Sequence, residues 1–217
     1  MSYQEEQETL ETVKYWWKKW GKYILVALVI SSIGFISFNG WTYLQQKKAS
    51  QAVVLYEQYL AASEKSDIEH AKRIAADMQK NFSNTAYASL TTLKLASMLF
   101  DKNESNLALD QLKWLISNNS SKAFQPIAKL NMASILLDQK KYDDALSQLN
   151  VVQKGFKAAY ADKRGDILVL SGKTKEAVDN YKIAIDEMKA DDPLKQLVQI
   201  KLDMLTQGKA QTSSTIF

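Results

Sequence analysis

Cysteine is absent from this 217-residue chain, which removes disulfides and thiolate metal sites and leaves the redox compartment open. A lone histidine, His70, supplies no set for a histidine zinc site or a Ser-His-Asp arrangement. It stands beside Glu69 and Lys72 at a helix start, where a surface position is expected. Proline is nearly missing too: only Pro126 and Pro193 interrupt the chain, and β-rich runs are few. A large excess of one charge is also lacking, since the net charge is only +4. Nothing electrostatic in that total points to a nucleic-acid partner. What remains is an ordinary globular balance, 46% apolar and 24% charged, so most of the chain is expected to fold around a real core.

Charge is lacking most conspicuously in one place. From Tyr23 to Gln46 no side chain is charged, and the run YILVALVISSIGFISFNGWTYL over 23–44 is about 33 Å long as a helix, enough for a hydrocarbon core. Gly34, Ser31, Ser32 and Ser37 are tolerated there because helical hydrogen bonds are protected in lipid. A secretory leader is the competing reading. The run exceeds a leader's apolar region, and it exits through aromatics and Lys47-Lys48, with only Ser50-x-Ala52 as a cleavage candidate.

Just before the run, KYWWKKWGKY (14–23) holds four lysines and five aromatics. Leu10, Val13, Trp17, Trp20 and Ile24 form one helical stripe, and Lys14, Lys18 and Lys22 another. The apolar stripe leads into the span, so the stretch is read as an interfacial anchor and not as a stacking platform for nucleic acid. The membrane-interface residues are Lys14, Trp16, Trp17, Lys18, Lys19, Trp20, Lys22 and Tyr23 on one side, and Trp41 and Tyr43 on the other. Four lysines precede the span, whereas Lys47 and Lys48 follow it closely, so the basic bias puts the N-terminus inside.

Beyond about Ala49, helical periodicity is punctuated by polar turns, which predicts an all-α domain. Aligning Ala71, Ala108, Ala145 and Ala177 gives spacings of 37, 37 and 32, straddling the period of roughly 34 residues of tetratricopeptide repeats. The last unit carries Gly165, Leu168, Gly172, Ala177, Tyr181 and Ala184 at that family's small and aromatic positions. The unit before it has Ala133, Leu136, Tyr142, Ala145, Leu149 and Val152, and the one before that Ala96, Leu99, Ala108, Leu112 and Leu115. The first unit is degenerate, with Ala71, Ala75 and Met78 preceded by a helix carrying Tyr56, Tyr59 and Leu60. A final helix from Pro193, capped by Asp192, places Leu194, Val198, Leu202 and Leu205 on one face, ends at Gly208 and covers the last repeat. The expected organisation is 1–22 a cytoplasmic segment with an interfacial amphipathic helix, 23–44 transmembrane, 45–208 a repeat domain on the outer side, and 209–217 a flexible tail.

No stretch carries an enzyme's motif. SGKT (171–174) lacks the glycine that a phosphate loop needs at Ile167 and follows a helical pattern, so it reads as a repeat turn. Asp162, Arg164 and Asp166 form a charged cluster without a partner nucleophile, for which a salt-bridged or solvated face is the expectation. Trp114 and Phe124 sit at core spacing, and Asn103-Glu104-Ser105 is a glycosylation sequon that matters only in a glycosylating source. No catalytic, cofactor or metal residues are therefore expected.

The order of segments resembles one family over nearly the whole chain. EEQETLETVKYWWKKWGKYILVALVI, GWTYLQQKKASQAVVLYEQYLAA, TAYASLTTLKLASMLFDKNESNLALDQL, YADKRGDILVLSGKTKEAVDNY and LKQLVQIKLDML are similar to the YfgM family of bacterial inner-membrane proteins. That resemblance implies an ancillary SecYEG translocon subunit with one span, cytoplasmic N-terminus and periplasmic repeats. It also implies association with the periplasmic chaperone PpiD, hand-over of client polypeptides, and a link to the Rcs envelope-stress regulator. The alternatives are a regulator acting through the cytoplasmic segment, a repeat scaffold for another envelope complex, and an enzyme with an unrecognised site. The partner-binding surface is left unassigned.

Overall fold

A computed structural model describes the backbone of residues 2–118 and 122–214 and the side chains of residues 14–118 and 122–207. Among the described residues there are helices, turns and bends but no strand. The chain divides into two compact units, Met1–Gln51 and Ala52–Phe217.

Helix α1 (Ser2–Glu64) contains the uncharged run, and it is the one described helix long and apolar enough to cross a membrane. Its apolar window is not buried, with Leu25, Val26, Phe35, Ile36 and Phe38 between 55% and 70% exposed. A buried core helix is excluded by that exposure. The hydroxyl of Ser32 donates to the Leu28 carbonyl and that of Thr42 to the Asn39 carbonyl, so these polar groups are satisfied within the helix.

In the second unit, the C-terminal part of α1 is followed by α2 (Ile68–Asn81), α3 (Ala86–Asp101), α4 (Ser105–Ser117), α5 (Gln125–Asp138), α6 (Tyr142–Gln148), α7 (Lys157–Leu170), α8 (Thr174–Glu187) and α9 (Pro193–Ser214). Local signals set the boundaries. Asp67 and Thr85 accept from the His70 and Ala88 amides as N-caps, and Asp192 accepts from Leu194 N–H ahead of Pro193. Ser66, Asn103 and Lys140 adopt positive φ in the tight turns between helices.

The repeat positions form the core. Ala71, Ala75, Met78, Ala96, Leu99, Ala108, Leu112, Leu115, Ala133, Leu136, Ala145 and Leu149 are buried in one cluster with Tyr59, and Trp114 and Phe124 pack against it. A second cluster joins Ala161, Tyr181, Ala184, Met188, Val198 and Leu202. Helix α7 serves both, because Tyr160 and Ile167, seven residues apart on one face, belong to the first cluster and Ala161 to the second.

Three expectations are corrected. Val152 fills no inter-helix gap: α6 ends at Gln148, the Leu149 N–H bonds three residues back to Leu146 O, and Val152 is 45% exposed in the following loop. Leu194 is 57% exposed, because Lys195 is the first-turn residue that meets the end of α8, donating to the Met188 carbonyl. Helix α9 continues through Gly208 to Ser214, since one glycine costs a helix only about 1 kcal/mol. Residues 215–217 of the expected tail lie outside the described residues, as do residues 119–121 of the SNNSSK turn.

Candidate membrane interface and repeat-domain surfaces

Every residue assigned to the membrane interface lies on α1. Trp16, Trp17, Trp20, Tyr23, Trp41 and Tyr43 are between 49% and 66% exposed, and Lys14, Lys18, Lys19 and Lys22 are exposed as well. The Trp20 and Tyr23 rings are 6.1 Å apart and tilted by 56°, and the Lys22 ammonium stands 4.9 Å from the Tyr23 ring centre. That trio pairs apolar ring area with a cation, as an interface between hydrocarbon and headgroups demands. The side chains of Leu10 and Val13, the start of the apolar stripe, lie outside the described residues.

In the repeat unit, two adjoining hollows share Ser97. One, of about 130 Å³, is lined by Ala96, Ser97, Phe100, Leu112, Asn131, Ser134 and Ile135. The other, of about 360 Å³, is lined by Ser63, Ser66, Lys94, Ser97, Met98, Asp101 and Lys102. The first hollow joins two serines and an amide to apolar side chains, and the second sets serines beside Lys94, Lys102 and Asp101. Of these lining residues, sequence reasoning had marked only Ala96 and Leu112, as repeat positions. The others are brought together by folding, α3, α4 and α5 around the first hollow and the end of α1 with α3 around the second.

The ADKRGD cluster is salt-bridged. Lys201 Nζ of α9 lies 2.8 Å from Asp162 Oδ1 and 2.8 Å from Asp166 Oδ1 of α7, and the Tyr181 hydroxyl of α8 donates to Asp166 Oδ1 at 2.9 Å. Burial would lower the Lys201 pKa, but its hydrogen bonds to Asp162 and Asp166 outweigh that and raise it. Burial, followed by the bond to Asp166, pushes Tyr181 up as well. Three helices are tied at one point, through two partners, Lys201 and Tyr181, that sequence reasoning had not joined to the cluster. The spacing of Asp162, Asp166 and Arg164 offered no signal for a lysine 35 residues further on.

The remaining candidates are structural. His70 is exposed and uses its backbone N–H in the α2 cap. SGKT is the α7–α8 turn, with Gly172 at φ +79°, and Lys173 lies 3.8 Å from Asp143. Among the described residues no group of three acidic or histidine side chains is placed to hold a metal ion.

The sequence is similar to known proteins over most of its length. Residues 14–207 match the tetratricopeptide repeat-like domain. A relative from Neisseria gonorrhoeae (strain FA 1090) named "Ancillary SecYEG translocon subunit" is 32% identical over 206 residues, 93% of this chain and 97% of its own. The chain belongs to the YfgM family. Relatives of the same name in Haemophilus influenzae and Escherichia coli K12 are 27% and 25% identical, over 93% and 94% of this chain and 98% of theirs. Because the matches run end to end, membership of the YfgM family covers the apolar helix and the repeats together.

Proposed function

We propose that this protein is a membrane-tethered, non-enzymatic binding scaffold associated with the SecYEG translocon of the bacterial inner membrane. The carrying observation is end-to-end similarity to proteins bearing that name, in a chain that joins one exposed apolar helix to a repeat domain with an open, polar hollow. Residues 1–22 are cytoplasmic, 23–44 span the bilayer, and the repeats from 45 to 208 face the periplasm, an orientation supported by the lysines ahead of the span. The interface set from Lys14 to Tyr23, with Trp41 and Tyr43, fixes the depth of the span. The repeats bind a PpiD-type chaperone and client polypeptides as these leave the channel. Tethering does the work: confinement to the membrane plane raises the effective concentration of the repeats near the channel, so modest affinities suffice.

In-membrane crosslinking tests this directly, because the chain has no cysteine to confuse single-cysteine variants. Ser97→Cys and Asn131→Cys are expected to capture translocon subunits or a periplasmic chaperone, and failure of both overturns the reading. Lys122→Cys is expected to react with a membrane-impermeant maleimide added from the periplasmic side, and protection from it reverses the orientation. Exchanging residues 1–22 for an unrelated basic anchor leaves a translocon scaffold working, whereas it abolishes a regulator acting through that segment.

A further inference from the structure

Helix α9 carries two apolar faces where a covering helix needs one. Val198 and Leu202 are buried against α8, while Leu197, Ile200 and Met204 form a separate stripe that is 50%, 49% and 71% exposed, with Leu194 at its edge. The stripe has a neighbour on α7. Lys157 bonds Glu187 at 2.6 Å and Lys195 bonds the Met188 carbonyl, so α7 and α9 both start where α8 ends and run parallel. Lys201 joins them at Asp166, and Leu170, 61% exposed, lies one turn past Asp166 as Met204 lies one turn past Lys201. The two residues thus follow the Lys201–Asp166 bond by one turn on their respective helices.

We propose that Leu170, Leu197, Ile200 and Met204 form a docking strip for a short apolar segment of an unfolded polypeptide. Its area and charge select this occupant. Together with Leu194 the strip offers on the order of 400 Å² of apolar surface, about half of the 800 Å² per partner that a stable dimer buries. It therefore suits a short, transient guest better than a second copy of this chain. A lipid surface needs free cations beside the apolar face. Between Leu194 and Met204 the two lysines are both occupied, Lys195 by the Met188 carbonyl and Lys201 by two carboxylates, and the other polar residues are Gln196, Gln199 and Asp203. With both lysines held by protein partners, the strip selects for apolar surface, and the flexible Met204 adapts to varied sequences. This rests on the scaffold reading and identifies the feature of a client that is recognised.

The test uses the full chain in nanodiscs and a fluorescent ten-residue peptide alternating leucine and serine, compared with its all-serine counterpart. The leucine peptide is expected to bind and the serine peptide not to bind. The triple variant Leu197→Gln, Ile200→Gln, Met204→Gln is expected to weaken binding at least tenfold, and Leu170→Gln alone several-fold. Ile183→Gln, on α8 and 42% exposed, leaves binding unchanged. Helix content and urea midpoint serve as fold controls, which exposed positions leave in place. Equal binding by the triple variant, or none by the native chain, overturns the strip. So does a dimer of the native protein that the triple variant abolishes, or vesicle binding by residues 45–217 that the variant abolishes. Translocon crosslinks from Ser97→Cys are read in the same preparations. Crosslinks without peptide binding sink the strip alone, and peptide binding without crosslinks sinks the translocon reading alone.

Discussion

Gly165 is the position where a single atom matters most. A Cβ added there would fall within contact distance of the Tyr181 ring, which cannot swing away while its hydroxyl bonds Asp166 and its ring is buried. Gly165→Ala is expected to destabilise the fold by about 1–3 kcal/mol, read as a fall in the urea midpoint. Two buried tyrosines should behave differently. Tyr181→Phe deprives Asp166 of a donor and is expected to cost about 1–2 kcal/mol, whereas the Tyr59 hydroxyl has no hydrogen-bond partner among the described residues, so Tyr59→Phe is expected to be neutral or slightly stabilising. The same groups set an alkaline limit. Tyr59, Tyr160, Tyr181 and Lys201 all have pKa values raised by the fold, mainly through burial for the tyrosines and through the carboxylate bonds of Lys201. Raised values bind protons more tightly in the folded state, so their contribution is complete below about pH 10 and is lost as pH rises beyond it. Denaturation followed from pH 8 to 12 is expected to show stability falling only above that point, and Tyr181→Phe should flatten the fall.

At the level of elements, α9 completes the second core cluster. Ending the chain at Asp192 removes Val198 and Leu202 from the cover of Tyr181 and Ala184, a loss of at least about 3 kcal/mol in apolar burial. Urea unfolding of the truncated chain is expected to show an early transition for α7 and α8, and an unchanged single transition would refute it. Periodicity made α9 legible as a covering helix, because Val198 and Leu202 repeat at four residues. It left the second apolar face unseen, since Leu197, Ile200 and Met204 fit a helical stripe equally well and their exposure depends on where α8 and α7 lie. Helix α6 shows the opposite failure. The run through Val152 reads as helix, yet the backbone leaves after Gln148, and Asn150 with the β-branched Val151 and Val152 is only a weak signal of that stop.

For the whole molecule, the division at Gln51–Ala52 falls inside α1, so one helix serves two units. Its last three turns belong to the repeat core: Ala52 and Tyr59 are fully buried and Ala62 nearly so. A chain beginning at Gln46 is expected to keep the native urea midpoint of the repeat domain. One beginning at Lys65 loses Tyr59 and is expected to fall by about 3 kcal/mol or more, and equal midpoints would contradict the assignment of residues 52–64 to the core.

Composition and spacing were enough for a helix long and apolar enough to span a membrane, for the all-α class and for the repeat alanines, while the resemblance of the quoted segments pointed to the family. An uncharged run of this length and an alanine every 32 to 37 residues are read directly along the chain. The three-helix tie at Lys201, the hollows around Ser97 and the open strip on α9 depend on how α3, α4 and α5 come together and how α8 and α9 fold back over α7. Lys201 looks like any exposed lysine until folding brings it to two carboxylates 35 and 39 residues away.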